Sequence, residues 1–299
     1  MKPMLAADIT DDLDKLRFPC YATPKLDGIR ALIFPDGVRS RSLKAIPHAI
    51  TQGAFREPEL VGLDGELIVG SPTAPDVYRR TQSTVSTKDH PDIAKLYVFD
   101  AYDPVSHEMW SYSERRDYFR ESVLDACNQH VVIVPSLKCA DMDELLEAEA
   151  GFLNAGYEGL ITRCPQALYK YGRSTIKEQG MLKLKRFVDG EAEIIAMEEE
   201  LHNANEAKTN QLGRTERSSH KANLHGKGSM GALVVRDLIS KVEFRIGTGF
   251  TADDRNSFWR ERDTHLHRNT VVKFKHFAHG AKDKPRHPKY VGLREEFDR

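Results

Sequence analysis

The sequence predicts an α+β chain of two domains, with strands and helices mixed to about residue 186 and a smaller all-β domain over 187–299. Three observations carry this. A length of 299 residues suits about two cores. Before Arg186, apolar runs of strand length alternate with two helical patterns, whereas after Phe187 only short alternating or β-branched runs remain. Charge divides at the same point: 24 Lys+Arg face 27 Asp+Glu up to Arg186, and 20 face 18 beyond it.

In chain order, Tyr21 to Arg41 reads as two strands, RALIF and VRSRS, around Pro35-Asp36-Gly37, where the Asp-Gly pair supplies the backbone angles of a tight hairpin. Leu60 to Val69 and Leu96 to Tyr102 are further strands. Glu114 to Gln129 places Phe119, Val123, Ala126 and Cys127 on one helical face. Asp141, with Glu144 three residues later, resembles a capping box opening a second helix, which Gly156 can end in a left-handed conformation. Strands resume at Gly159 to Arg163 and Leu182 to Arg186. Beyond Phe187 the runs Glu191 to Met197, Ala232 to Asp237, Lys241 to Gly247 and Thr270 to Phe277 have the spacing of a small β-barrel. The first two are separated by a polar, basic stretch too long for an ordinary connection, hence functional or disordered.

Composition excludes several classes. With 40% hydrophobic residues the chain builds proper cores, and a formal charge of −1 offers no overall polybasic signature. The basic residues are local: Lys170 to Arg186 holds six against one acid, and Asn203 to Lys227 holds five against two. No stretch approaches the roughly 18 apolar residues of a membrane span. MKPMLAADITDDLDKL carries charges where a secretory segment would be unbroken, so an intracellular chain with no membrane association is expected. Cys20, Cys127, Cys139 and Cys164 stand far apart without a C-x-x-C pair, which suggests reduced thiols rather than a zinc ribbon or redox pair.

Chemistry gathers around Lys25 in TPKLDGIR. Alone, K-x-D-G could equally be a solvated strand-to-turn segment. Downstream, LDGEL puts Asp64 and Glu66 on a strand edge, YVFDAYD sets Phe99 in an apolar strand, GYEGLITR presents Glu158, and MLKLKRF alternates Lys183 with Lys185. Strand residues two apart share a face, so both lysines can aim into one cleft. A nucleophilic lysine, acids suited to a hard cation, an aromatic and a phosphate-holding lysine pair form a nucleotidyl-transfer kit. Taken one at a time these residues have plainer readings: a core Phe99, salt-bridging Glu66 and Glu158, a solvated Lys183/Lys185 face, and surface charges at Arg41 and Arg173. The chemistry is demanding, because an amine attacks phosphorus only when neutral. A free lysine holds its proton to about 10.4, and bringing that to about 7 needs roughly 4.6 kcal/mol of differential stabilisation, from neighbouring cations, a metal and desolvation.

These blocks, in this order, resemble the covalent nucleotidyltransferases: ATP-dependent DNA ligases, RNA ligases and mRNA capping enzymes. FPCYATPKLDGIR, RSRS, YKYGRSTIKE, LKLKRF, FRIGTGF, VKFKHF and KDKPRHP extend the likeness toward the small viral DNA ligases over nearly the whole chain. The resemblance implies an antiparallel-sheet nucleotidyltransferase (adenylation) domain over 1–186 and an OB-fold domain over 187–299, with a DNA-binding latch inserted at about 203–227. It implies that Lys25 attacks the α-phosphate of ATP and becomes lysyl-AMP. Arg30 and Glu66 would contact the ribose, Phe99 would stack on adenine, and Thr23 would meet the base edge through its backbone. Glu158, Glu66 and Asp27 would serve Mg2+ or Mn2+, while Lys183 and Lys185 would hold the α-phosphate and stabilise the transition state.

On nicked double-stranded DNA, Arg41 would sense the 5′-phosphate with Arg173 beside it, and Arg286, in the Lys282-to-Arg286 block, would orient pyrophosphate. Lys208, Arg214, Arg217, Lys221 and Lys227 of the latch suit backbone phosphates, which give sequence-independent affinity. The latch likeness is looser: the spacing and Ser218-Ser219-His220-Lys221 agree, and many residues between differ. Since Lys25 lies so near Met1, no separate N-terminal DNA-binding domain is expected, and a monomer would clamp the duplex. An mRNA guanylyltransferase, an RNA ligase and an inactive nick-binding module remain the alternatives.

Overall fold

The computed structural model describes residues 2–102, 109–209, 215–218, 220, 223–267, 270–277 and 284–294. The chain divides into two compact units, Met1–Arg186 and Phe187–Arg299.

The first unit is built on two five-stranded sheets. One runs, side by side, β5 (Gly37–Ser40), β4 (Ile29–Phe34), β6 (Leu63–Ile68), β7 (Lys95–Ala101) and β8 (Val131–Ile133), antiparallel except for the last pair. The other runs β2 (Ala7–Asp8), β12 (Leu182–Leu184), β10 (Leu160–Arg163), β3 (Cys20–Pro24) and β9 (Leu137–Cys139), antiparallel except for β2 with β12. A short parallel pair, β1 (Met4–Leu5) with β11 (Gly172–Arg173), accompanies them. Each sheet has its own apolar cluster: Leu63, Leu67, Leu96 and Val98 for the first, Ile9, Ala22, Leu160 and Leu184 for the second. A third cluster, with Met4, Phe99, Tyr169 and Met181, draws residues from both sheets.

Among the described residues four α-helices complete the unit: α1 (Ala49–Ala54), α2 (Val77–Val85), α3 (Tyr112–Ala126) and α4 (Met142–Asn154). α3 opens with a full capping box, Glu114 N donating to Ser111 Oγ at 3.3 Å and Ser111 N donating to Glu114 Oε2 at 2.7 Å. α4 has half of one, since Glu144 N donates to Asp141 Oδ1 but the Glu144 carboxylate accepts from Ala140 N instead. Gly156 follows with φ +91°, as its position after the helix requires.

Two readings of the sequence need correction, and one helix escapes it. The β4–β5 hairpin pairs Phe34 with Gly37, so Pro35-Asp36 forms the two-residue loop and Gly37 takes its positive φ of +125° at the strand's first position. β6, carrying Asp64 and Glu66, lies in the middle of its sheet between β4 and β7 rather than at an edge. α2 carries too few apolar residues to announce its period, because Thr81 and Thr84 share its buried face with Val77 and Val85.

The second unit is a five-stranded sheet in the order β17 (Glu243–Ile246), β16 (Leu224–Asp237), β13 (Val188–Asn203), β18 (Val271–Phe277), β19 (Arg286–Leu293). A parallel bridge between Thr248 and Lys289, with Tyr290 N donating to Thr248 O at 2.9 Å, joins the two ends into a barrel. Ile194, Leu233, Val235, Val272 and Phe274 fill it, and α5 (Ala252–Arg260), opened by a Thr251/Asp254 capping box and followed by α6 (Arg262–His267), closes one side through Phe258. This is the OB-fold arrangement the resemblance implied.

The long polar stretch is an extension of β13 and β16, paired as far as Asn203 with Leu224, followed by a hairpin of β14 (Ala207–Thr209) and β15 (Thr215–Arg217). Buried Asn205 organises this end: its amide donates to Ser218 O at 2.9 Å and His220 O at 3.1 Å, and accepts from Asn223 at 3.1 Å. Among the described residues, no helix is long and apolar enough to cross a membrane.

Candidate active site

Lys25 follows the last residue of β3, and its amide donates to Gly159 O at 2.9 Å, which ties it to the start of β10. Two glycines make this convergence possible. A Cβ on Gly28 would collide with the Leu67 carbonyl, and one on Gly159, at φ +145°, with that of Leu184.

The result is a cavity of about 300 Å³ in the first unit, whose wall includes Thr23, Lys25, Arg30, Arg41, Glu66, Phe99, Arg173 and Lys183. Glu158 adjoins it: the carboxylate lies 2.5 Å from Lys25 Nζ through Oε2 and 2.9 Å from Lys185 Nζ through Oε1. Burial alone would raise the Glu158 carboxyl, but Lys25 and Lys185 outweigh it and hold it at about 2. Cations, a metal and desolvation are what the sequence leads one to expect around Lys25; the structure sets an acid directly against it and the cation Lys185 beyond. Attack by Lys25 requires that this ion pair be exchanged and that a proton leave the nitrogen first.

Lys183 lies in β12 and Lys185 one residue past its end, and the two have different partners. Lys183 lines the cavity and pairs with Asp8 at 3.1 Å, whereas buried Lys185 belongs to Glu158. Arg30 grips fully buried Asp64 with Nε and a terminal nitrogen, each at 2.5 Å, and its guanidinium lies 4.6 Å from the centre of the Phe99 ring. Glu66, cross-strand from Arg30, is pushed up to about 7, because desolvation exceeds the opposing pull of Arg30 and Lys25 and Asp64 and Asp27 add to the rise. Thr23 is buried, its hydroxyl donating to Ile161 O at 3.4 Å. Arg41 and Arg173 are exposed at the cavity, Arg173 donating to Ala6 O at 2.7 Å.

The three acids read as metal-serving do not form a cage. Among the described residues there is no group of three or more His, Cys, Asp or Glu side chains that could hold a metal ion. Glu158 spends both oxygens on lysines. One or two carboxylates beside a phosphate-sized cavity suit a hard cation that takes its remaining ligands from phosphate and water, which is how magnesium is usually held.

Arg286 stands at the start of β19 in the second unit. In the hairpin extension, Arg217 donates to Asn205 O and is exposed. Lys208 has a described backbone, paired with Glu216, but its side chain, with Arg214 and Lys221, lies outside the described residues.

Sequence reasoning missed Arg163 and the N-terminal strands. Arg163 is 1% exposed, donates to Phe99 O at 3.0 Å, and lies 5.1 Å from the Phe99 ring centre. Its place two residues after Ile161, also a cavity residue, was the available signal. Leu5 and Ala6 enter the same wall, and Arg30 also donates to Met4 O at 3.3 Å. Nothing in their sequence announces this.

Comparison with known proteins follows the same division of the chain. Residues 3–185 match the family model of the ATP dependent DNA ligase domain, and residues 225–294 that of the DNA ligase OB-like domain. A Streptomyces griseus protein named a probable DNA ligase is 30% identical over 200 residues, 58% of this chain and 38% of that protein, so the match spans well under half of that relative's length. The crystal structure of Chlorella virus DNA ligase-adenylate is 29% identical, with a TM-score of 0.56 over 98% of this chain and 99% of that one. A Lig E DNA ligase structure shares the fold, with a TM-score of 0.72 at 24% identity over 98% and 99%.

Proposed function

The chain belongs to the ATP-dependent DNA ligase family, and from that membership we propose that it seals 3′-hydroxyl/5′-phosphate nicks in duplex DNA through lysyl-AMP on Lys25. One observation supports the assignment of the nucleophile: Lys25 lines the cavity with Phe99, Arg30, Glu66 and Lys183 and is ion-paired behind it through Glu158 to Lys185.

The triphosphate of ATP is the natural competitor for these ion pairs. Its negative charges draw Lys185 and Lys25 from Glu158, while Lys183 meets phosphate with Asp8 still beside it. Freed from Glu158, the Lys25 nitrogen gives one proton to water, its lone pair bonds to the α-phosphorus as the bond to the bridging oxygen breaks, pyrophosphate leaves with that bond's electron pair, and the second proton passes to water to leave the neutral lysyl phosphoramidate. In the second step the 5′-phosphate of the nick takes AMP and returns the lysine; in the third the 3′-hydroxyl attacks and AMP departs. Lys183 and Lys185 neutralise the charge that develops on the phosphoryl oxygens. Phe99 offers a ring to the adenine, with Thr23 at the base edge, and Arg30 and Glu66 face the ribose. Glu66, Glu158 and Asp27 are the carboxylates that would serve Mg2+ or Mn2+, which when bound would supply charge neutralisation at the triphosphate.

On the DNA side, Arg41 and Arg173 meet the nick phosphate, Arg286 orients pyrophosphate, and the extension at about 203–227 grips the duplex backbone as a latch. The enzyme works as an intracellular monomer. The test is a nicked duplex offered with ATP and magnesium, followed by gel and by intact mass. Joined strands and an adenylate on Lys25 are expected; an adduct formed from GTP and not ATP favours a capping guanylyltransferase, and nick binding without any adduct overturns the enzyme reading.

A further inference from the structure

We propose that Asp8 and Thr10 form a positioning clamp for Lys183 and Lys185; the inference rests on the ligase reading and concerns residues it does not use. β2 runs parallel to β12 with Asp8 opposite Lys183. From there the segment holds the lysine strand at successive points. Thr10 N donates to Asp8 Oδ1 at 3.1 Å, which fixes the carboxylate and leaves Oδ2 facing Lys183 Nζ at 3.1 Å. Ile9, fully buried in the core, donates its amide to Lys183 O at 3.1 Å. The Thr10 hydroxyl then takes both backbone groups of Lys185, accepting from its amide at 3.2 Å and donating to its carbonyl at 3.3 Å.

The alternating lysines therefore have an alternating counterpart. Asp8 governs the Lys183 side chain, and Thr10 governs the backbone from which the Lys185 side chain reaches Glu158. The lysine strand is short, three residues by its hydrogen bonding, and Lys185 lies just past its end. Without the Thr10 hydroxyl, the Lys185 backbone loses a partner at the position that aims a charge at the reaction. Lys183 is a third exposed. Its long side chain, unpaired, would lose rotamer freedom on meeting phosphate, a loss that the Asp8 pair takes beforehand.

The experiment measures lysyl-AMP formation against ATP concentration by intact mass, with the wild-type chain in parallel. Asp8→Asn should raise the ATP concentration for half-maximal rate roughly fivefold, the order expected for one unfixed side chain, with the saturated rate little changed. Asp8→Glu should restore it. The decisive arm is Asp8→Asn in a Lys183→Met background, followed over long incubations and by ATP titration. There the Asp8 change should have no effect, because its target is gone. Thr10→Val should lower the saturated rate, and Thr10→Ser should not. An Asp8→Asn chain with the wild-type ATP dependence, or the same loss in the Lys183→Met background, overturns the clamp. A wild-type chain that takes up no adenylate overturns the ligase reading and the clamp with it.

Discussion

The cleft of the first unit and the strand extension of the second both carry many charges, but they hold them in opposite ways. At and behind the cleft three acids are buried and bound, Asp64 with Arg30, Asp100 with Arg115 at 2.8 Å and Glu158 with two lysines, while Arg41 and Arg173 stay exposed. Asp64 and Asp100 are cross-strand neighbours with no exposed surface, an arrangement tolerable only because each has its own arginine. At the base of the extension Lys227 pairs with Glu200 at 2.6 Å, and on the neighbouring barrel edge Arg245 pairs with Glu198, each side chain a third or more exposed. Exposed pairs of this kind are worth about 0–1 kcal/mol and are easily traded. The contrast suits two tasks: chemistry at phosphorus needs charges fixed before the substrate arrives, and a sequence-independent grip needs charges that will exchange an acid for a phosphate.

The most damaging way to probe the first half of this comparison is Lys25→Ala. Lysyl-AMP should vanish by mass spectrometry while circular dichroism stays native; an adduct surviving in this variant would reject the nucleophile. Next, Asp100→Ala should lower stability by about 3–5 kcal/mol in denaturant melts, since it leaves two buried guanidinium groups without their carboxylate. On the other side, deleting 203–227 should weaken nick binding and flatten its salt dependence by roughly 0.9 per lost phosphate contact, with adenylylation preserved. An unchanged slope would remove the latch.

A milder test uses pH. Glu158, held at about 2 when folded against about 4.3 when unfolded, contributes stability that is complete above the unfolded value and is lost as pH falls toward 2. Thermal melts should therefore fall more steeply through that window for wild type than for Glu158→Gln. The smallest effect belongs to Lys227→Ala, for which a stability change within about 1 kcal/mol is expected, with a salt slope lower by about 1.

Much of this was legible in the sequence because it is local. Lys25 with Gly28, Glu158 with Gly159, and Lys183 with Lys185 each sit in one short segment whose spacing states its chemistry. What escaped notice is held by pairing across long separations. Asp8 meets Lys183, and Arg163 meets Phe99, only once two sheets have formed. β6 read as an edge because its two acids look solvated; burial beside Arg30 reverses that inference. The strand lengths of β13 and β16 were underestimated because polar residues dominate where the ribbon leaves the barrel and has no apolar core to face. α2 was hidden by threonines whose hydroxyls find partners beyond the helix, as Thr81 does in accepting from Val69 N at 3.0 Å.

The close passage of backbone at Gly28 and Gly159 bears on how this pocket can be re-engineered. Main chain has no slack at either place, so neither can be widened by substitution, and any attempt to admit a bulkier base must trim side chains such as Ile161 or Met181 instead.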